Sequence, residues 1–291
     1  MNALAPLETL YDPDRGADLP LPPELARLYG RLQLPPRERT PYVISNFVTT
    51  LDGVASLNVP GQEGGSEISG ANPHDRMVMG LLRAAADAVI VGAGTLRASP
   101  RHLWTAEYIY APLTEQYQSL RAQLRKAETP LNVIVTARGE IDPTLPVFQS
   151  GKVSTLIVTT EEGKSRIARR DLPSSVQVAS LPQAGSFTAR AILDEVIRAS
   201  SGNAQMILVE GGPRLMGNFF AEHLIDEQFL TLAPQVAGRD DSAARPGLVD
   251  GKTFAPERPL WGTLTGVKRG GDHLFLRYAF GSFWNPDRSS A

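Results

Sequence analysis

A carboxylate, two glycines and a proline stand together in Val209-Glu210-Gly211-Gly212-Pro213, at the end of an apolar run. That run reads as a buried strand over Gln205–Glu210, and Pro213 as the first position of a helix. Glycines let a backbone approach a ligand closely. The free N–H groups and positive dipole end of the helix suit a phosphate or pyrophosphate. The alternative is a tight turn in which glycine supplies a positive φ. Glu210, at a strand's carboxyl end, stands where open α/β sheets bind ligands; its own alternative is a charge partner of the helix N-terminus. Gly92-Ala93-Gly94-Thr95-Leu96-Arg97 resembles the dinucleotide pattern G-x-G-x-x-G. It has Arg97 at the third glycine position and lacks the acidic residue expected about 20 positions on, so Arg97 would favour a phosphate instead. Thr49-Thr50-Leu51-Asp52-Gly53 ends the first long strand with an Asp-Gly pair, usually a turn. Arg138 follows the strand ending at Thr136 and could pair with a ribose 2′-phosphate, selecting NADP over NAD; a solvated loop arginine is the alternative.

Other chemistries are excluded by what is missing. There is no cysteine, which removes disulfides, thiolate nucleophiles and Cys-based metal sites, and the four histidines are widely spaced; no metal is expected. With 29 basic and 31 acidic residues the formal charge is −2, so nucleic acid and anionic membranes are not expected partners. No apolar run approaches a membrane span, and the N-terminus has no basic region followed by an apolar one. The expected location is the cytoplasm.

The elements that would carry these groups alternate. Residues 1–40, rich in Pro, Leu and Arg, read as an extension with one short helix near Glu24–Gly30. Tyr42–Val48 is β-branched and aromatic, as in a central strand. A Gly-rich loop over Pro60–Gly65 follows, and Asn72-Pro73-His74-Asp75 then caps a helix. Met77, Val78, Leu81, Leu82 and Ala85 form that helix's buried stripe, with Arg76, Met79, Gly80 and Arg83 on the other side. Strands are expected at Ala88–Val91, Leu131–Thr136, Val153–Thr159 and Val176–Val178, with a polar helix at Thr114–Ala127. The helix Thr188–Ala199 leads to the strand before Glu210, and the helix from Pro213 buries Leu215, Met216, Phe219 and Phe220. Glu227–Leu232, Trp261–Val267 and His273–Phe280 read as strands, and Gly238–Pro259 as a surface loop. Strands alternating with helices imply a mostly parallel sheet in a three-layer α/β/α arrangement, closed by a C-terminal antiparallel hairpin. The expected division is an N-terminal extension over 1–40, a main domain over 41–285 and a tail over 286–291.

Four blocks fall in a telling order: Asn46-x3-Thr50-Leu51-Asp52-Gly53, Leu81-Leu82-Arg83-x3-Asp87-Ala88-Val89, Val91-Gly92-Ala93-Gly94-Thr95-Leu96-Arg97, and Val209-Glu210-Gly211-Gly212-Pro213-x-Leu215. This order resembles the reductase domain of riboflavin biosynthesis, which shares the dihydrofolate reductase fold, over roughly residues 41–281. The resemblance implies NADPH-dependent reduction of the ribosylamino side chain of a pyrimidine 5′-phosphate to a ribitylamino chain, in a homodimer. Thr95 and Ser99 would line the nicotinamide nucleotide, with Val48, Gly94, Arg97 and Arg138 also on the cofactor. The turn and helix of Gly211, Gly212, Pro213, Arg214 and Leu215 would hold its phosphates. Glu210 would bind substrate, and Arg83 would help hold the substrate phosphate. Hydride would go to the ribose C1′ of an open-chain imine, with Asn46, Asp52 and Glu210 as the catalytic set and Asp52 or Glu210 as the acid.

The chain departs from the family pattern in places. Asn46 stands where enzymes fused to a deaminase carry Lys, as in stand-alone reductases. With no cysteine and a short segment before residue 41, no deaminase is expected here. Gly65-Ser66-Glu67-Ile68 replaces a Ser-x-Trp, and Ser99 replaces an Asp. These changes keep two alternatives open: a dihydrofolate or dihydropteridine reductase on the same fold, and a catalytically inactive nucleotide-binding module.

Overall fold

A computed structural model describes residues 4–14, 16–34, 40–58, 64–181, 187–240 and 244–280. The expected tail at 286–291, the domain end at 285 and residues 60–63 of the Gly-rich loop lie outside the described residues. The strands are β1 (Glu8–Tyr11), β2 (Ala17–Asp18), β3 (Gln33–Leu34), β4 (Tyr42–Thr49), β5 (Ala88–Gly92), β6 (Leu131–Val135), β7 (Thr155–Thr160), β8 (Val176–Leu181), β9 (Met206–Val209), β10 (Glu227–Leu232), β11 (Thr263–Gly270) and β12 (His273–Ala279). The helices are α1 (Pro23–Tyr29), α2 (Gly64–Ile68), α3 (Pro73–Ala85), α4 (Ala93–Ala98), α5 (Ala106–Ile109), α6 (Thr114–Gln123), α7 (Pro146–Gln149), α8 (Glu161–Ile167), α9 (Ala189–Ala199) and α10 (Pro213–Ala221).

One sheet runs β1-β11-β12-β10-β4-β9-β5-β6-β7-β8. From β10 to β8 all pairings are parallel; β12, β11 and β1 are antiparallel. This is the mostly parallel sheet with an antiparallel hairpin that the alternation implies. The central strands are apolar on both faces because helices cover both. Met77, Leu81, Val89, Ile134 and Leu208 belong to one core, and Ile90, Val133, Ile192, Val209, Met216 and Phe219 to the other. Asp87, from the second sequence block, sets the register where these layers meet. Its carboxylate accepts from the Gln205 and Met206 amides, each at 2.8 Å, and pairs with Lys126 at 2.7 Å.

The reading of α3 holds at its start. Asn72 accepts from the His74 and Asp75 amides and Pro73 occupies the first turn. It fails at Gly80, which is buried against α6 rather than on the open side. A Cβ there would stand 2.5 Å from the Tyr117 hydroxyl. Nor is α6 simply polar: Tyr117, Leu120 and Arg121 are buried. The Arg121 guanidinium donates to the carbonyls of Arg83, Ala84 and Ala86, closing the carbonyl end of α3. Burial lowers its pKa to about 10.

The first forty residues are more than an appendage. β1 pairs with β11, and Leu25, Leu28 and Tyr29 of α1 enter the same core as β4. The junction is a buried ion pair. Arg277 donates to both oxygens of Glu227 at 3.0 and 2.9 Å and to the Gln33 carbonyl at 2.9 Å, while Thr265 donates to Glu227 at 2.8 Å. Gly64 and Gly65, expected in a loop, begin α2. Gly238–Pro259 carries no helix or strand among its described residues, yet Leu248, Val249 and Phe254 pack against the second core.

Candidate active site

A cavity of about 1250 Å³ opens at the carboxyl ends of the parallel strands. β9 lies between β4 and β5. From there the chain order proceeds one way through β6 to β8 and the other way to β10. A reversal of this kind leaves a crevice between the outgoing loops, which is where open α/β sheets bind ligands.

The turn at Glu210–Pro213 is built differently from its expectation. Neither Gly211 nor Gly212 has a positive φ. Gly211 does not face the cavity: a Cβ on it would meet the Gly92 nitrogen at 2.6 Å and Val91 Cα at 2.8 Å. Its lack of a side chain lets the end of β9 lie against the end of β5, so the expected ligand approach is corrected at this residue. Gly212 does line the cavity. Its amide donates to Thr95 Oγ1 at 3.1 Å, which ties the α4 and α10 turns together. Pro213 brings no N–H, and the Leu215 amide turns back to the Gly212 carbonyl.

Glu210 meets Arg83 in a buried, two-pronged ion pair. Arg83 Nε lies 3.2 and 3.0 Å from the two carboxylate oxygens and Nη2 2.8 Å from one. Nη1 is engaged as well, donating to His102 Nε2 at 2.9 Å and to the Thr105 carbonyl at 3.2 Å. A guanidinium only donates, so His102 Nε2 accepts and the ring proton sits on Nδ1. Arg83, expected to help hold the substrate phosphate, lines the cavity with most of its guanidinium committed to protein partners. Sequence reasoning did not single out His102; no motif marks it.

The same face of α3 supplies two residues whose roles were not foreseen. Asp75 is buried and lines the cavity. Burial holds its pKa above the ordinary carboxylate range, and the nearby Glu210 charge adds to the rise. Hydrogen bonds from Thr231 and Ser69 and the His273 charge act the other way. Arg76 also lines the cavity, and its Nε is buried with no hydrogen-bond partner. Positions 75, 76, 79 and 83 follow helical spacing, so the polar stripe was legible; Asp75 was read only as a first-turn charge.

Asp52 lies outside the cavity lining. Its carboxylate accepts from Thr50 Oγ1 at 2.5 Å, from the Ala237 amide at 3.1 Å and from the Gly238 amide at 2.8 Å. The Thr50 hydroxyl first, then these amides, lower its pKa to about 2. Such a group stays ionised and clamps two loops, so the expectation that it donates a proton is corrected.

The other expected residues line the cavity. Asn46 and Val48 come from β4 and are buried; Ser99 is buried at the end of α4. Gly94, Thr95 and Arg97 of α4 also contribute, as do Arg138 after β6 and Pro213, Arg214 and Leu215 of α10. Arg138 and Arg214 are largely exposed. A Cβ on Gly92 or Gly94 would meet nothing within 4 Å, and one on Gly212 nothing closer than Thr95 Oγ1 at 3.7 Å. These glycines leave a bare-backbone cradle flanked by Arg97, Arg138 and Arg214, a donor set that fits a phosphate-bearing dinucleotide. Ser66 and Ser69 reach the cavity although the Ser-x-Trp register is not matched. Among the described residues no cluster of three or more His, Asp or Glu could hold a metal ion, and no helix is long and apolar enough to cross a membrane.

Comparison with known proteins identifies the family. The model of the RibD C-terminal domain matches residues 41–270. A 2,5-diamino-6-ribosylamino-4(3H)-pyrimidinone 5′-phosphate reductase of Archaeoglobus fulgidus is 28% identical over 217 residues, covering 74% of this chain and 88% of that protein. The riboflavin biosynthesis protein RibD of Escherichia coli is 23% identical over 200 residues, covering 69% of this chain and half (50%) of the longer protein. Among solved structures, a pyrimidine reductase-like protein of Corynebacterium diphtheriae superposes with a TM-score of 0.62 at 20% identity, covering 82% of this chain and 91% of the other. The riboflavin biosynthesis reductase of Saccharomyces gives a TM-score of 0.55 at 16% identity, covering 84% and 93%. At these identities the structures establish the fold, which is the dihydrofolate reductase-like one. With 230 consecutive positions matched, the chain belongs to the RibD C-terminal domain family.

Proposed function

We propose that this protein catalyses the NADPH-dependent reduction of a ribosylamino-pyrimidine 5′-phosphate to its ribitylamino product. One observation carries the reading: a single cavity joins a bare-backbone, arginine-flanked cradle to a buried polar end formed by Asn46, Asp75, Arg76 and Glu210. The family membership and the activity named for the Archaeoglobus relative support it.

NADPH, when bound, supplies the hydride. The turn at Gly94–Thr95 and the mouth of α10 bind its phosphates, and Arg138 faces the 2′-phosphate. Glu210, fixed in orientation by Arg83, accepts hydrogen bonds from the substrate. Arg76 takes the phosphate role first expected of Arg83, since its buried Nε has no partner in the protein. Asp75 retains a proton to higher pH than an ordinary carboxylic acid. It delivers that proton to the imine nitrogen as hydride adds to C1′ and the C=N electron pair moves onto the nitrogen. The buried walls exclude water from the imine, which would otherwise hydrolyse.

Dihydropteridine reduction is a second reading, favoured by Asp75, because a carboxyl suits the amidine edge of any 2-aminopyrimidine ring. Purified protein with NADPH and either the ribosylamino-pyrimidine phosphate or dihydrofolate, followed at the nicotinamide absorbance band, decides between them. Turnover of the ribosylamino compound is expected. Turnover of dihydrofolate alone overturns the proposal, and tight NADPH binding without any turnover indicates a binding module.

A further inference from the structure

The loop after β6 runs Ala137-Arg138-Gly139-Glu140, and three of its four residues are tied down by the turn from β7 into α8. The Thr160 hydroxyl donates to the Ala137 carbonyl at 2.8 Å while accepting from the Gly163 amide at 3.1 Å. Gly139, with φ +63°, lies backbone to backbone on Gly163. A Cβ on Gly139 would overlap the Gly163 carbonyl, and one on Gly163 would overlap the Thr159 hydroxyl and stand 2.9 Å from the Ala137 carbonyl. Arg166 holds Glu140 Oε1 at 3.1 Å and Glu162 at 3.0 Å. Arg138 alone of the four keeps a long side chain free to reach a ligand. It is 77% exposed at the cavity wall, with Glu140 Oε2 at 3.7 Å.

This arrangement sets two opposite charges at one spot. A cation there suits a ribose 2′-phosphate, whereas a carboxylate accepts from a 2′-hydroxyl and repels a phosphate. We infer that α8 decides cofactor choice: Thr160 and Gly163 aim Arg138, and Arg166 engages one oxygen of Glu140, which also lines the cavity, and offsets its charge. Arg166 is not part of the cavity wall, so it acts as a positioning residue through Glu140. The inference rests on the reading that Arg138 faces the 2′-phosphate, and its test separates the two.

Affinities for NADPH and NADH are measured by fluorescence quenching, and for 2′,5′-ADP and 5′-AMP by calorimetry, in the wild type and its variants. A role in folding alone would shift both members of each pair together. Arg138→Ala is expected to cut the preference for the phosphorylated member by about tenfold or more. Arg166→Ala is expected to weaken NADPH severalfold with NADH unchanged or tightened, and the added change Glu140→Gln restores NADPH binding. Thr160→Val shifts the ratio in the same direction as Arg166→Ala; both are mild changes at an accessible turn, so the test does not depend on Gly163→Ala folding. An unchanged ratio in Arg138→Ala removes the underlying reading. A lowered ratio in Arg138→Ala together with wild-type ratios in Arg166→Ala and Thr160→Val overturns this inference and leaves that reading intact.

Discussion

Two carboxylates in one cavity, Asp75 and Glu210, differ in what surrounds them, and that difference assigns their work. Glu210 is gripped by Arg83 on both oxygens, whereas Asp75 is held by the neutral hydroxyls of Thr231 and Ser69 and is raised by burial. Asp75→Asn should lower kcat by about a hundredfold with NADPH affinity retained. It should also change the pH dependence of stability. A carboxyl whose folded pKa is raised contributes stability in acid, below the unfolded pKa, and that contribution is lost as pH rises through the folded value. Denaturant unfolding should therefore show Asp75→Asn gaining on the wild type as pH rises above the ordinary carboxylate range; a constant gap would contradict the assignment. Glu210→Gln keeps the shape but removes the charge facing Arg83. It should raise the substrate KM or cut kcat by roughly tenfold and leave NADPH affinity nearly unchanged. Collapse of NADPH binding in a folded Glu210→Gln protein would mean that the division of roles is wrong.

Element contacts explain residues that carry no chemistry. The α3–α6 crossing depends on Gly80, because the Tyr117 ring lies over it and its hydroxyl donates to the Met77 carbonyl at 3.1 Å. In an exposed helix Gly→Ala stabilises by about 1 kcal/mol. Here Tyr117 is fully buried and cannot retreat, so overlap wins and Gly80→Ala should cost about 1–3 kcal/mol. The sign should change when Tyr117→Leu removes the ring, a double-mutant cycle readable from denaturation midpoints. Since α3 carries Asp75, Arg76 and Arg83, the KM should respond along with stability.

Across the whole molecule, a buried charge pair joins β10 to the C-terminal hairpin, and its arginine also donates to the Gln33 carbonyl of the N-terminal segment. The Arg277 and Glu227 side chains are 6% and 0% exposed, and Glu227 pushes the Arg277 pKa upward although burial opposes it. Removing one partner strands the other, so Glu227→Ala should cost about 3–5 kcal/mol and lower Tm by roughly 10 °C. Replacing both residues by apolar ones should recover most of that loss. A Tm within a few degrees of wild type for Glu227→Ala alone would show that the junction is not a stability centre.

The amino-acid sequence by itself determined the alternation of strands and helices, the cap at Asn72 and the turn-bearing strand ends at Gly92 and Glu210. These follow from local periodicity, capping chemistry and glycine placement, which act within a few residues. The order of four blocks was enough to mark the family. Only the tertiary structure decided which polar groups were still available. Arg83 looked free until Glu210, His102 and Thr105 met it from other elements. Asp52 looked like an acid until the neighbouring Thr50 hydroxyl, joined by the Ala237 and Gly238 amides from far along the chain, lowered its pKa. Asp75 looked like a helix-end charge until β10 and the Ser69 segment buried it. Desolvation and hydrogen-bond partnership are sums over neighbours distant in sequence. The strand ends that carry a site can therefore be read from the chain, while the protonation and occupancy of its groups require the fold.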